Sequence, residues 1–318
     1  MKIVQVCNVG TICGGTAACA WSITRALPEC QHVVLFLGQP TTETRQAFAP
    51  VPTESISSID DHVLARWQPD LVILHNTSAA HSGSIRSCVR MLYCHSQGHH
   101  APADLAVSCS RWLSDRLSHH PTVLYQPIPC PPVPPERSSQ PETRALDDEL
   151  VVGRLCTPQP RKWPSCTVPF YEELARRFPF IRWEFVGCPS SLEQPLQNAC
   201  RGRAKFLPAR WGAQQHFYRW HGLLYHHPTL TESFGRTVAE AMLAGCLPIV
   251  DARGGFLEQI HPNETGFLCE TVDHFASALE QLTPSRRWIM SRAARQSARK
   301  LFSLETFARE FRLQLRSL

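Results

Sequence analysis

Residues 227–255, HPTLTESFGRTVAEAMLAGCLPIVDARGG, restrict the fold of this chain more than any other stretch. Val238, Ala239, Met242 and Leu243 recur at helical spacing, which predicts a short helix with one buried side. Ser233 stands where a capping hydroxyl would start that helix, and Gly245 stands where a left-handed residue would end it. Residues 246–251 then form an apolar run of the kind that lies inside a parallel sheet, with Gly254-Gly255 shortly after it. Two carboxylates, Glu232 and Glu240, flank the first half of the helix, where backbone N–H groups lack partners and favour an anion. The stretch therefore reads as a ligand site built on a helix end.

The same alternation of strand and helix runs through the rest of the chain. Strands are expected at 3–9, 32–37, 71–75, 90–94, 105–108 and 123–125, with helices at 16–27, 59–67 and 111–117. Further strands are expected at 150–152, 182–186, 204–207 and 223–225, with helices at 168–177, 192–199 and 212–220. Amphipathic helices are expected at 271–282, 284–301 and 304–315. Between the halves, 126–149 holds PIPCPPVPPERSSQPETR, too rich in proline for a central strand or a helix interior. The pattern implies two doubly wound, Rossmann-like α/β domains, at 1–130 and 150–300, joined by a linker at 131–149. The helix within 301–318 is a candidate to fold back on the N-terminal domain.

Composition narrows the function. The 318 residues carry a net charge of only +5, and the arginines are scattered over predicted helices, so no nucleic-acid partner is expected. Fourteen cysteines include no C-x-x-C pair, and the adjacent histidine pairs lack a third ligand at useful spacing, which argues against zinc and against a disulfide framework. Lys2 leads directly into the strand IVQVCNV, and no apolar run reaches the roughly eighteen residues of a membrane span. The expected setting is cytoplasmic.

On these motifs the chain resembles the retaining GT-B glycosyltransferases of carbohydrate-active enzyme family four, which includes sucrose-phosphate synthases and mannosyltransferases of glycan assembly. Glu232 and Glu240, with seven residues between them and Phe234-Gly235 inside, match the acidic pair of that family; Pro248 matches its proline after the helix, Gly254-Gly255 its paired glycines after the next strand, and Asn263, Thr265, Gly266 and Phe267 its later turn. Arg154 in VGRL and Lys162 match its phosphate-binding basic pair, with Arg161 as a neighbour able to share the task. Gly14-Gly15 match its glycine loop near the donor phosphate, and His95 matches a histidine near the transferred sugar. Asn76 and Ser110 occupy comparable strand ends.

The resemblance implies a GT-B fold, two domains facing a central cleft, with the acceptor on the N-terminal side and the nucleotide-sugar on the C-terminal side. It implies transfer of a sugar from a UDP-, GDP- or ADP-sugar to a hydroxyl acceptor, without a metal and without a cofactor. Arg154 and Lys162 would stabilise the leaving phosphate, helped by N–H groups at Ser233, Phe234 and Gly235. Glu240 would hold ribose hydroxyls, Glu232 sugar hydroxyls, and His95 a group near the reacting carbon. Glycan, lipid carrier, protein and small metabolite stay open as acceptors, and peripheral membrane contact through Trp112 or the arginine-rich C-terminal helices is a further expectation. A non-catalytic nucleotide-sugar-binding or scaffolding protein of the same fold is the alternative. Nicotinamide chemistry is disfavoured, because GTICGG after the first strand is not the dinucleotide fingerprint.

Overall fold

The apolar runs assemble into two separate parallel sheets in the computed structural model, which describes residues 1–133 and 149–316. The chain divides into two units, Met1–Pro129 with Leu301–Leu318, and Cys130–Lys300. Each is doubly wound, with the sheet order reversing beside the first strand of the unit.

In the first unit the strands are β1 (Lys2–Cys7), β2 (Gln31–Phe36), β3 (Thr53–Ser55), β4 (Leu71–His75), β5 (Val89–Cys94), β6 (Leu105–Ser108) and β7 (Thr122–Val123). Their order is β3-β2-β1-β4-β5-β6-β7, all neighbours parallel. The reversal lies between β1 and β4, and a crevice for ligands opens beyond the carboxyl ends of strands at such a point. Register places Cys7, His75 and Tyr93 side by side at that edge. The helices are α1 (Gly15–Ala26), α2 (Thr42–Phe48), α3 (Asp61–Ala65) and α4 (Arg111–Ser114). Helix α1 is buried over most of its circumference, from Thr16 to Ala20 and again at Ser22, Ile23, Thr24 and Ala26.

In the second unit the strands are β8 (Val151–Leu155), β9 (Arg182–Val186), β10 (Ala204–Leu207), β11 (Gly222–Tyr225), β12 (Leu247–Asp251) and β13 (Phe267–Cys269). The order β10-β9-β8-β11-β12-β13 reverses between β8 and β11. The helices are α5 (Thr167–Arg177), α6 (Ser190–Ala199), α7 (Arg236–Ala244), α8 (Phe256–Gln259), α9 (Val272–Glu280) and α10 (Pro284–Phe302). A final helix, α11 (Leu304–Leu315), lies against α1 in the first unit, where Arg312 pairs with Glu29 at 2.5 Å. There Phe302 is fully buried, meets Tyr125 edge-on at 5.4 Å, and accepts the Ile128 N–H at its carbonyl.

Tertiary packing moved several boundaries. The expected helix at 212–220 is a 3-10 turn, Ala213–Tyr218, because Trp220 must reach the sheet. Its ring covers β8, where a Cβ on Gly153 would lie 2.1 Å from it, and its indole N–H donates to buried Glu184 at 2.7 Å. The expected strand at 150–152 continues to Leu155, which makes Arg154 a strand residue. The strand expected at 123–125 is two residues long, and the helix expected at 59–67 shortens to α3, capped by Asp60. Strands β3 and β13 and the short helices α2 and α8 were not anticipated; segments this short show little of a period. Residues 134–148 of the expected linker, and 317–318, lie outside the described residues.

Candidate functional site

The switch point of the second sheet gathers most of the residues singled out from sequence. Beyond β8, the turn Pro160–Lys162 presents Lys162; beyond β11, the segment 226–235 presents Glu232. The Lys162 ammonium forms an ion pair with Glu232 Oε1, and the Tyr225 hydroxyl donates to the same oxygen at 2.9 Å. Both side chains of the pair stay partly open, at 16% and 24% exposure, so a ligand can reach them. Burial first, and the Glu232 charge second, push the Tyr225 phenol up, which keeps it a donor. Tyr225 was not anticipated; its position as the last residue of a strand before the motif is the signal that would have found it.

Arg154 has a different placement. Its side chain is fully buried, donating from Nη1 to His226 O at 2.9 Å and from Nη2 to Lys162 O at 2.8 Å. The guanidinium lies between the Trp163 ring at 4.8 Å and the Tyr225 ring at 4.7 Å. In this arrangement the guanidinium has no exposed surface for a phosphate to meet. As arranged, the planar fork ties the Lys162 turn to the Tyr225–His226 corner, so Arg154 sets where the ammonium and the phenol stand.

Two histidines lock the same corner. His227 Nδ1 accepts the N–H groups of Thr229 and Leu230 at 3.2 and 2.7 Å, so Nε2 carries the proton and donates to Arg161 O at 2.9 Å. His226 Nδ1 donates to Asp251 Oδ1 and the His227 N–H to Asp251 Oδ2, each at 2.7 Å. Asp251, buried at the end of β12, thus braces this loop from within the unit. Arg161 contributes its carbonyl here, with its guanidinium on Gln159.

The paired glycines have a steric reason. A Cβ on Gly254 would lie 2.4 Å from Glu232 O, and one on Gly255 2.5 Å from Ser233 O, while Gly255 N–H donates to Glu232 O at 2.9 Å. Only bare backbone lets the two loops approach closely enough to set Glu232. Ser233 does not cap the following helix, which corrects the sequence expectation. Helix α7 starts at Arg236, its N-cap is Gly235 with φ 83°, and no side chain caps it. Residues 232–235 are committed to the glycine contact, and the Phe256 ring fills the space where a Gly235 Cβ would stand, 2.2 Å away. Within the first turn the Val238 N–H donates to Gly235 O at 2.9 Å. Phe234 is buried, with its carbonyl bonded to Gln259. Glu240 lies one turn into α7 and accepts from Arg236 Nε at 2.8 Å. Burial pushes its carboxyl above the ordinary carboxylate range, against the lowering effect of Arg236.

In the first unit the candidates lie beyond the strand ends that flank its switch point. Gly14 is the N-cap of α1 without a side-chain cap, and a Cβ on Gly15 would meet nothing within 4 Å, so that helix end is open to an approaching group. His95 lies just beyond β5. Its Nε2 lies 2.9 Å from His75 Nδ1, and its Nδ1 lies 3.0 Å from Gln126 Nε2. Asn76, at φ 50°, accepts the His95 and Ser96 N–H groups with one side-chain oxygen and holds that turn. Ser110 is buried and caps α4. His75 was read from sequence only as the end of a strand; burial lowers its pKa to about 3.

Among the described residues, Cys19, His75 and His95 bring three potential metal-ligand atoms within 4.8 Å of one another. The donor set is of zinc type, yet the two ring nitrogens stand at hydrogen-bond separation and each ring's other nitrogen meets a glutamine. The two histidines are satisfied as members of a hydrogen-bonded chain. No helix of the described residues is long and apolar enough to cross a membrane.

Residues 204–301 match the family described as glycosyl transferases group 1. Over 82 residues the chain is 39% identical to human alpha-1,3/1,6-mannosyltransferase ALG2, a stretch that spans 25% of this chain and 20% of that relative. HepE from Anabaena, solved with UDP-glucose, superposes with a TM-score of 0.77 at 18% identity, over 100% of both chains. Sucrose-phosphate synthase from Thermosynechococcus elongatus gives 0.72 at 15%, over 100% of this chain and 99% of that one. A glycosyltransferase from Rickettsia africae gives 0.76 at 14%, over 99% and 98%. The fold is GT-B, two Rossmann-like domains with parallel sheets, and the second of them is related to glycosyl transferases group 1.

Proposed function

We propose that the protein is a retaining glycosyltransferase that moves a sugar from a nucleotide-sugar donor to a hydroxyl acceptor. The observation that carries this reading is the group Lys162, Glu232 and Tyr225, assembled beyond β8 and β11 where the sheet order reverses. That group combines an accessible cation with an accessible carboxylate, the pair needed to hold a diphosphate and a sugar hydroxyl. HepE, solved with UDP-glucose, supplies the ligand class.

On this reading Lys162 exchanges Glu232 for the donor diphosphate, and the released carboxylate takes sugar hydroxyls. Glu240 accepts from ribose hydroxyls beside its bond to Arg236. Arg154 acts through Lys162 by holding its carbonyl. The bond from the anomeric carbon to phosphate breaks while the acceptor oxygen bonds to that carbon on the same face, and the acceptor proton passes to a phosphate oxygen. The ammonium and the helix N–H groups neutralise the departing charge, so no divalent ion is assigned. A cytoplasmic, reducing setting goes with this reading, since all fourteen cysteines are free thiols.

The test is calorimetric titration of the protein, and of Lys162→Ala and Glu240→Ala, with UDP-glucose, GDP-mannose and ADP-glucose. Saturable binding of one of them, weakened in both variants, supports the assignment. Failure of all three to bind a folded protein sinks it. Tight binding with no transfer to any acceptor would favour the scaffolding alternative.

A further inference from the structure

Gln5 is a polar residue inside β1 with no exposed surface, in a strand whose central residues are otherwise apolar. Its place is explained by a chain of hydrogen bonds whose direction can be assigned throughout. Gln5 Nε2 donates to Ala20 O in α1 at 3.1 Å, which leaves Gln5 Oε1 to act as an acceptor. His75 Nε2 stands 3.0 Å from that oxygen and must therefore carry a proton. Buried His75 is neutral, so its Nδ1 is a bare lone pair. That lone pair faces His95 Nε2 at 2.9 Å, which must then be the protonated nitrogen of His95. The remaining nitrogen, His95 Nδ1, faces the Gln126 amide nitrogen at 3.0 Å and accepts from it. Every bond in the sequence Gln126, His95, His75, Gln5, Ala20 points the same way.

We infer that Gln5 and His75 are positioning residues that hold His95 as the Nε2–H tautomer, with Nδ1 as its hydrogen-bond acceptor. The order is imposed from the α1 carbonyl, which can only accept, and it passes through two rings to the residue beyond β5. His95 thus offers an acceptor, and a carbohydrate hydroxyl that takes the place of the Gln126 amide is bound as a donor. This last step rests on the glycosyltransferase reading, whereas the tautomer does not. The other titratable groups at the rings leave the order intact. The Tyr93 ring centroid is 4.5 Å from that of His95, but its hydroxyl donates to Leu124 O at 2.6 Å, and the Cys19 thiol belongs to the same cluster without being needed for any bond in the chain.

The experiment is 15N nuclear magnetic resonance of the full chain labelled at histidine, with ring signals assigned through His75→Gln, His75→Leu and His95→Gln. The expected result is a pyridine-type shift at Nδ1 and a pyrrole-type shift at Nε2 for both His75 and His95. His75→Gln keeps an acceptor and a donor in place and should preserve the His95 pattern, whereas His75→Leu should leave His95 as a mixture of tautomers. In the transfer assay with UDP-glucose, GDP-mannose and ADP-glucose each offered as donor, His75→Leu should lower kcat with the one that is used about tenfold, the size of one net hydrogen bond, with the donor KM unchanged, and His75→Gln should restore it. A wild-type His95 protonated at Nδ1, or one whose pattern is the same in His75→Leu, overturns the inference. Correct tautomers with no transfer would instead count against the glycosyltransferase reading alone.

Discussion

His75 should make the stability of the first unit depend on pH. It is completely buried, and burial lowers its pKa from the ordinary 6.5 to about 3. The unfolded chain therefore binds a proton that the folded chain refuses. The His75 contribution is complete above the unfolded pKa, declines as pH falls through the window between 6.5 and 3, and is flat below it. At about 1.36 kcal/mol per unit, lowering the pH from about 7.5 to about 5 removes roughly 2 kcal/mol of stability through this residue. Other buried histidines add slopes of their own, so the informative quantity is the difference between wild type and His75→Gln, which keeps the hydrogen bonds and loses the titration. Urea unfolding read by hydrogen exchange in peptides covering β4 and β5 tracks the first unit without interference from the second. Relative to His75→Gln, the wild type should lose about 2 kcal/mol of stability over that interval. Parallel curves would show that His75 titrates normally in the folded chain, and the burial argument would be refuted.

Four further outcomes test the second unit. Lys162→Ala should lower transfer from the nucleotide-sugar by roughly 10²–10³ while thermal stability, read by calorimetry, shifts by under about 1 kcal/mol, because the ion pair is partly open to water. Arg154→Met should cost about 2–5 kcal/mol by leaving His226 O and Lys162 O without a donor, and Arg154→Lys should fail to rescue it in urea titrations, since one ammonium cannot serve as a fork between stacked rings. Gly235→Ala should cost about 2–4 kcal/mol from a positive φ and from the Phe256 ring, and a thermal unfolding midpoint equal to wild type would contradict that geometry. Transfer measured after exhaustive chelation should equal that of untreated protein, and recovery only with an added divalent ion would remove the metal-free assignment.

Periodicity alone carried the alternation of strands and helices, because a parallel strand buried on both faces must be apolar along its length and an amphipathic helix must repeat near 3.6 residues. It placed Glu232, Glu240 and the glycines of 227–255 in one loop–helix–strand unit, since all lie within a few turns of one another in the chain. The family resemblance, and not the period, singled out Lys162 and His95. Tertiary structure alone decided the partner of each. The burial of Arg154 between Trp163 and Tyr225 depends on β8 lying beside β11, a pairing between residues about 70 positions apart. The start of α7 at Arg236 depends on Phe256, which no local rule around Ser233 could supply. In sequence Gln5 is one residue of an expected strand and His75 the end of another; only the parallel register of β1, β4 and β5 sets them in line with His95. Local pattern determines which segments form because it depends on residues within one or two turns. The partners of a buried charge or imidazole depend on which segments are adjacent, and that is decided by how the whole sheet closes.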